Sequence, residues 1–493
     1  MTKISSLLSY DPNDPLLFGS GLFLFLFFFL LLFYRLMANS RNGRILLLTF
    51  FSLYFYYKAS GLFVLLLIFN AIINFYFGEW IYKSAKHNKK RIILILSIVF
   101  NLGVLGYFKY TNFFMQLVAD IANSSYDLFD IILPIGISFY TFKSLSYIID
   151  IYLDMIKPTE DFKSFALYVF FFPNILAGPI DRASKFLPQI QNEYIITRKD
   201  IAMGLMLIMM GLVKKIMIAD YISLNFVDRV FESPLRFTGV ENLLAVYGYT
   251  LQLYCDFSGY SDIAIGIALL LGFKLMENFN YPFKAKSIAD FWRRWHISLS
   301  SWLLDYVFRP LQIKFRDRGV AGNVSAILIT FVLIGLWHGA SWAFIIWGLL
   351  HGIYMSIGLW VNKYKKSAYT KLKLSDTKLL GFGQIFVTFN LVTFSFVFFR
   401  ADSFTNALNV LKQIFYFFKP EILIQFAEAY TPTLVLIIVG LALNFSPNSW
   451  MQKSVNIIES LPVAFQAALL TFVIWIVVQV QYADLQPFIY FKF

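Results

Sequence analysis

Residues 290–311 read DFWRRWHISLSSWLLDYVFRPL, and residues 335–352 read GLWHGASWAFIIWGLLHG. Three of the four histidines in the chain, His296, His338 and His351, fall between Asp290 and Gly352. Val324–Trp337 and Ser341–Trp360 are apolar runs on either side of His338. An ionisable group inside such a run is expensive, so it marks a functional site by default. Histidine also titrates close enough to neutral pH to take a proton from a hydroxyl. The expectation is therefore that His338 is a catalytic base and His296 its neighbour in one buried pocket. From the residues alone a blander reading stands beside it. A lone buried histidine can bond a backbone carbonyl, and one ending WRRWH can be an interfacial side chain.

Outward from this stretch, the chain is 59% hydrophobic, 19% aromatic and only 14% charged. Soluble domains carry roughly 45–50% apolar and about 25% charged residues. The excess is organised as recurrent apolar runs near the length of a bilayer crossing, which predicts an all-α, polytopic integral membrane protein of about 11–13 transmembrane or re-entrant helices. The runs are Leu16–Phe33, Ile45–Tyr57, Gly61–Phe77, Ile92–Phe108, Ile131–Ile149, Ile201–Ile218 and Leu243–Phe273, the two beside His338, and then about Phe382–Phe399, Thr433–Leu443 and Pro462–Val480. Leu16–Phe33 is too long for a signal peptide, lacks a small-residue cleavage site and is read as the first span. Phe165–Gly178 is short and interrupted by proline, which fits a re-entrant segment buried in protein. Asp290–Arg309 has the spacing of one amphipathic helix, with Arg294, Ser298, Ser301 and Asp305 on one face and Phe291, Trp295, Leu299 and Trp302 on the other. Segment 403–428 looks interfacial. No second domain is visible, so residues 1–493 are expected to form a single transmembrane domain with a motif core at about 134–352 and an aromatic tail at 487–493.

The net charge of +13 sits in loops between apolar runs. That is the positive-inside pattern with attraction to anionic lipid, and no nucleic-acid module interleaves the charges. Arg35, Arg41 and Arg44, and the basic run Lys83–Arg91 that holds His87 as a solvated loop histidine, are placed on the cytoplasmic side, which puts the N-terminus outside. The single cysteine, Cys255, permits no disulfide within the chain; it suits a helix interface better than a thioester. Asp256 and Asp262 interrupt an apolar run, and Asp262 is either a mechanistic carboxylate or polar glue between helices.

His338 and His351 are thirteen residues apart, no HExxH occurs, and Cys/His zinc spacings are absent, so no catalytic metal is expected. Neither a GxSxG elbow nor a P-loop is present. What remains is base catalysis on a donor that arrives activated. A thioester and a hydroxyl need a base, alignment and donors for an oxyanion. Backbone amides, or an indole N–H near Trp337, are candidate donors.

At these residues the chain resembles the membrane-bound O-acyltransferase superfamily, in its alginate O-acetylation branch. The resemblance is carried by PIGISFYTFKSLSYIIDIY (134–152), FFPNILAGPI (171–180), YCDFSGYSDIAIG (254–266), DFWRRWHISLS from 290 and GLWHGASWAFIIWG (335–348). It implies a ring of membrane helices around a thin centre, with a funnel entering from each side. It carries the family's catalytic histidine onto His338 and a supporting histidine onto His296; Trp337, Asp256 and Asp262 are pocket candidates from the residues themselves. It further implies transfer from a cytoplasmic thioester, acetyl-CoA or an acyl carrier, toward hydroxyls of an exported polysaccharide. A separate extracytoplasmic acetyltransferase partner and a home in the inner (cytoplasmic) membrane belong to the same expectation. Lys284, Lys286, Arg293 and Arg294 could draw the donor's phosphates, or form an ordinary solvated rim. The tail PFIYFKF (487–493) is an interfacial anchor on the bland reading. Its similarity to a partner-peptide motif in teichoic-acid D-alanylation suggests instead that Tyr490 relays the acyl group. A transporter or flippase for a polymer or lipid-linked sugar, with Asp256 and Asp262 lining its path, is the alternative from another class. A scaffold that only recruits the acetyltransferase is a third.

Overall fold

A computed structural model of the chain describes residues 7, 9–12, 15–192, 195–371, 377–480 and 488. Among the described residues all regular structure is helical. Eight helices there are long and apolar enough to cross a membrane: Phe63–Lys83, His87–Ala122, Arg198–Glu232, Gly239–Leu270, Arg316–His338, Trp342–Val361, Lys378–Arg400 and Val463–Val480. The pair Pro420–Ala429 and Thr431–Phe445, bent by 96°, is a broken span or a re-entrant loop, and Gly21–Leu36 is a shorter apolar helix. The multi-pass, all-helical architecture predicted from hydropathy is the one observed. The chain falls into two compact units, the first of residues 1–209, 260–276 and 455–470, the second of 210–259, 277–454 and 471–493.

In the first unit polar side chains join apolar helices. Asn101 Nδ2 donates to Asn74 Oδ1 at 2.7 Å, Asn70 Nδ2 to Asn101 Oδ1 at 3.1 Å, and Ser144 Oγ to Asn70 Oδ1 at 3.1 Å. All four are buried. Helices in lipid gain little from apolar contact alone, so such bonds hold them in register. Segment 164–183 is buried throughout, as two short helices, Phe162–Phe170 and Phe172–Ile175, that break at Phe171. The break is affordable because Ser52 Oγ accepts the Phe172 N–H at 3.1 Å, and because Lys143 Nζ donates to Asn174 Oδ1 at 2.9 Å while Asn174 Nδ2 donates to Asp181 Oδ2 at 3.2 Å. Irregular backbone wholly covered by protein is what the re-entrant expectation required. Gly136, at φ +77°, opens the preceding helix, Ile137–Tyr152, where a Cβ would stand 2.5 Å from the Ile175 carbonyl oxygen, so only glycine fits.

In the second unit the hairpin of Gly319–His338 and Trp342–Lys371 brings backbones close. A Cβ on Gly335 would meet the Phe344 carbonyl oxygen at 2.3 Å, and one on Gly348 would meet that of Phe331 at 2.2 Å.

Two local expectations are corrected. His87 is exposed as expected, but it starts the helix His87–Ala122 and is not in a loop. Asp290–Arg309 is not one continuous helix. Ile288–Trp292 ends, and a new helix begins at Ile297 after His296 takes φ 42°, the left-handed region. The periodicity pointed to a single helix because Phe291, Trp295, Leu299 and Trp302 are all buried. The break is held by a second strand of backbone: Asn280 N donates to Arg294 O and Ile297 N to Asn278 O, both at 2.9 Å.

Candidate active site

His338 closes the helix Gly319–His338 and is buried. Three aromatic rings surround its imidazole at centroid distances of 4.8 Å (Trp337), 4.9 Å (Trp347) and 5.0 Å (Phe399), each at a steep angle. The Trp347 indole N–H is buried with no hydrogen-bond partner. A buried donor left unmatched costs about 1–3 kcal/mol, so it has a use or a price.

His296 also packs against Trp337, with ring centroids 5.8 Å apart. The Trp337 indole thus contacts both histidines, and His296, His338 and Trp337 lie together in one buried cluster of rings. His296 is fully buried, and burial pushes its pKa from the usual 6.5 down to about 3. Its Nδ1 is 3.0 Å from Asn278 Oδ1, which also accepts from the Ser298 N–H at 3.3 Å and the Ser298 hydroxyl at 2.9 Å. Phe257 stands edge-on to His296 at 4.6 Å, and Phe488 packs against Phe257 at 5.3 Å.

The third buried histidine is saturated. Trp292 Nε1, which can only donate, reaches His351 Nδ1 at 3.3 Å; Nε2 therefore carries the proton and donates to Ser395 Oγ at 2.9 Å. Ser395 Oγ passes its own hydrogen to Val392 O at 2.7 Å. His351 is a structural joint between helices.

Asp256 Oδ1 lies 2.6 Å from Lys215 Nζ, which also holds Asp220 at 2.7 Å. Asp262 belongs to the first unit. Of the four basic residues named for the donor, Lys286 and Arg293 are exposed. Lys284 bonds the Ser446 carbonyl and lies over the Tyr281 ring at 3.9 Å, and Arg294 is paired with Asp290 at 3.0 Å. Tyr490 lies outside the described residues.

Asn278, Trp347, Phe257 and Phe488 were not found from sequence as site residues. Asn278 and His296 are eighteen positions apart, and they meet because residues 278–280 pair with 294–297 through the backbone. Trp347 was inside a recognised stretch, but its orientation is a tertiary fact. The one legible hint was the aromatic tail itself.

The model of the membrane-bound O-acyltransferase family matches residues 156–399, which include His296 and His338. The chain is 36% identical over 440 residues to the peptidoglycan O-acetyltransferase of Helicobacter pylori, covering 83% of this chain and 81% of that one. It is 38% identical over 411 residues to a protein of Pseudomonas aeruginosa named "Probable alginate O-acetylase AlgI", covering 82% and 75%. It is 33% identical over 280 residues to the teichoic acid D-alanyltransferase of Bacillus subtilis, covering 55% and 70%. With two histidines meeting at one tryptophan in a buried aromatic pocket and similarity of this extent, the chain belongs to the membrane-bound O-acyltransferase family.

Proposed function

We propose that this enzyme moves an acetyl group from acetyl-CoA, taken from the cytoplasmic side of the inner membrane, toward hydroxyls of an exported cell-surface polysaccharide. The observation that carries the reading is that His296 and His338 both pack against Trp337, inside the segment matched by the family. The relatives' names support the acceptor class, since they act on peptidoglycan, alginate or teichoic acid, and two of the three name acetyl transfer.

In this reading His338 takes the proton of the attacking hydroxyl. The hydroxyl oxygen adds to the thioester carbonyl, the C–S bond breaks, and the thiolate leaves as thiol with the proton that His338 returns. The Trp347 N–H is the donor offered to the oxyanion. Lys286 and Arg293 are the exposed cations that would meet donor phosphates, while Lys284 and Arg294 hold the local fold. The final acceptor is reached with an extracytoplasmic acetyltransferase partner.

Tyr490 is the proposed relay for the acyl group. Phe488, buried against Phe257 beside His296, supports it, since two residues of chain span at most about 7 Å. The test is purified protein in nanodiscs with radiolabelled acetyl-CoA, comparing wild type, His338→Ala and Tyr490→Phe. His338→Ala is expected to stop thioester loss while the protein stays folded, and Tyr490→Phe to lose label on the protein. Thioester loss at the wild-type rate in His338→Ala ends the base assignment. Full polymer acetylation in Tyr490→Phe ends the relay.

A further inference from the structure

Asn278 makes more hydrogen bonds to the turn around His296 than a loop asparagine needs. Its Oδ1 accepts from the Ser298 backbone N–H and hydroxyl, and its carbonyl accepts from the Ile297 N–H at 2.9 Å. The backbone donor at Ser298 fixes which end of the amide is oxygen, because a backbone N–H cannot accept. His296 Nδ1, 3.0 Å from that same oxygen, must therefore bear a hydrogen. In a neutral imidazole the other nitrogen, Nε2, then holds the lone pair. His296 also sits at φ 42°, a conformation that a non-glycine residue keeps only where its surroundings enforce it. Asn278 is buried, as is His296, so water does not compete for these bonds.

We infer that Asn278 is a positioning residue of the acyl-transfer site: it locks His296 in the Nδ1–H tautomer, so that Nε2 is the nitrogen able to accept a hydrogen bond from a reacting group. The inference rests on the proposed acyl transfer only for its kinetic consequence; the tautomer is a property of the resting protein. The arrangement has the logic of an imidazole oriented by a side-chain oxygen on one nitrogen so that the other can accept.

The experiment uses full-length protein in nanodiscs, labelled with ¹⁵N in its four histidines. The His296 signals are assigned by their loss in His296→Gln. Wild type should give a protonated Nδ1 and an unprotonated Nε2 for His296. Asn278→Ala should lose that signature and lower acetyl-CoA cleavage ~10-fold or more, as expected when an acid–base group is misaligned. Asn278→Asp keeps the accepting oxygen, so it should retain the tautomer. Its added charge should also move the protonation midpoint of His296, read from the same ¹⁵N signals, upward by about 1–3 pH units. A merely structural role for Asn278 would leave the Nδ1–H tautomer in place in Asn278→Ala. The inference is overturned if Asn278→Ala retains that tautomer, or if a folded Asn278→Asp loses it or leaves the midpoint unmoved. Should Asn278→Ala fail to fold, Asn278→Asp decides alone. Should His338→Ala keep wild-type turnover, the base assignment fails, and the histidine signals still judge Asn278.

Discussion

The indole of Trp347 stands 4.9 Å from the imidazole of His338, with an angle of 89° between the ring planes. Its N–H is buried and unmatched, beside the residue proposed as base. Trp347→Phe keeps most of the apolar volume and removes the donor. The expected result is a fall in kcat of ~10²-fold with little change in KM, the signature of a donor used only in the transition state. Equal kcat in Trp347→Phe and wild type, measured on folded protein, would return Trp347 to a packing role.

Phe488 is buried against Phe257, and Phe257 stands against His296. The contact makes Phe488 part of the wall around His296. Phe488→Ala should lose acetyl transfer to the polymer by ~10-fold or more, because an anchor of this kind contributes about 3–5 kcal/mol when fully packed. Phe488→Leu should recover much of it. Faster cleavage of the tail by carboxypeptidase in Phe488→Ala than in Phe488→Leu would report the undocking directly. Identical cleavage rates would mean that the ring does not hold the tail.

Lys215 bridges Asp220 and Asp256 at 2.7 and 2.6 Å, and Ser223 Oγ donates to Asp228, which Arg400 holds at 2.7 Å. These carboxylates are engaged by cations, which is what a joint between helices requires. Removing one partner of a buried pair costs about 3–5 kcal/mol. Lys215→Met strands two carboxylates and should lower thermal stability most. Asp256→Asn leaves Lys215 with Asp220 and should be milder, with acetyl-CoA cleavage retained. Loss of cleavage in Asp256→Asn at unchanged stability would instead restore Asp256 to the mechanism or to a transport path.

The crossings were legible because apolar length is a local quantity; Lys378–Arg400 and Val463–Val480 follow the hydropathy almost residue for residue. The histidines were legible because an ionisable residue in an apolar run is anomalous wherever it stands. The break at His296 was not. Phe291, Trp295, Leu299 and Trp302 keep helical spacing across it, since both halves bury the same side. What ends the first helix is backbone pairing with residues 278–280, which no local pattern encodes. The same is true of the third histidine. His351 stands in an apolar run as conspicuously as His338, and its bonds to Trp292 and Ser395 identify it as a joint.

His296 carries a pH dependence with a definite sign. Its pKa is near 6.5 when unfolded and is pushed by burial to about 3 in the fold. Between those values the unfolded chain binds the extra proton, so this group's contribution to stability rises with pH from about 3 to about 6.5 and is level above. Protein in nanodiscs should therefore melt at progressively lower temperature as the buffer is taken from pH 7 to pH 4. In His296→Gln, which has no proton to gain, that slope should flatten while the plateau near pH 7 persists. An unchanged slope in His296→Gln would assign the acid sensitivity to other groups, and would mean that His296 is protonated in the fold as readily as out of it.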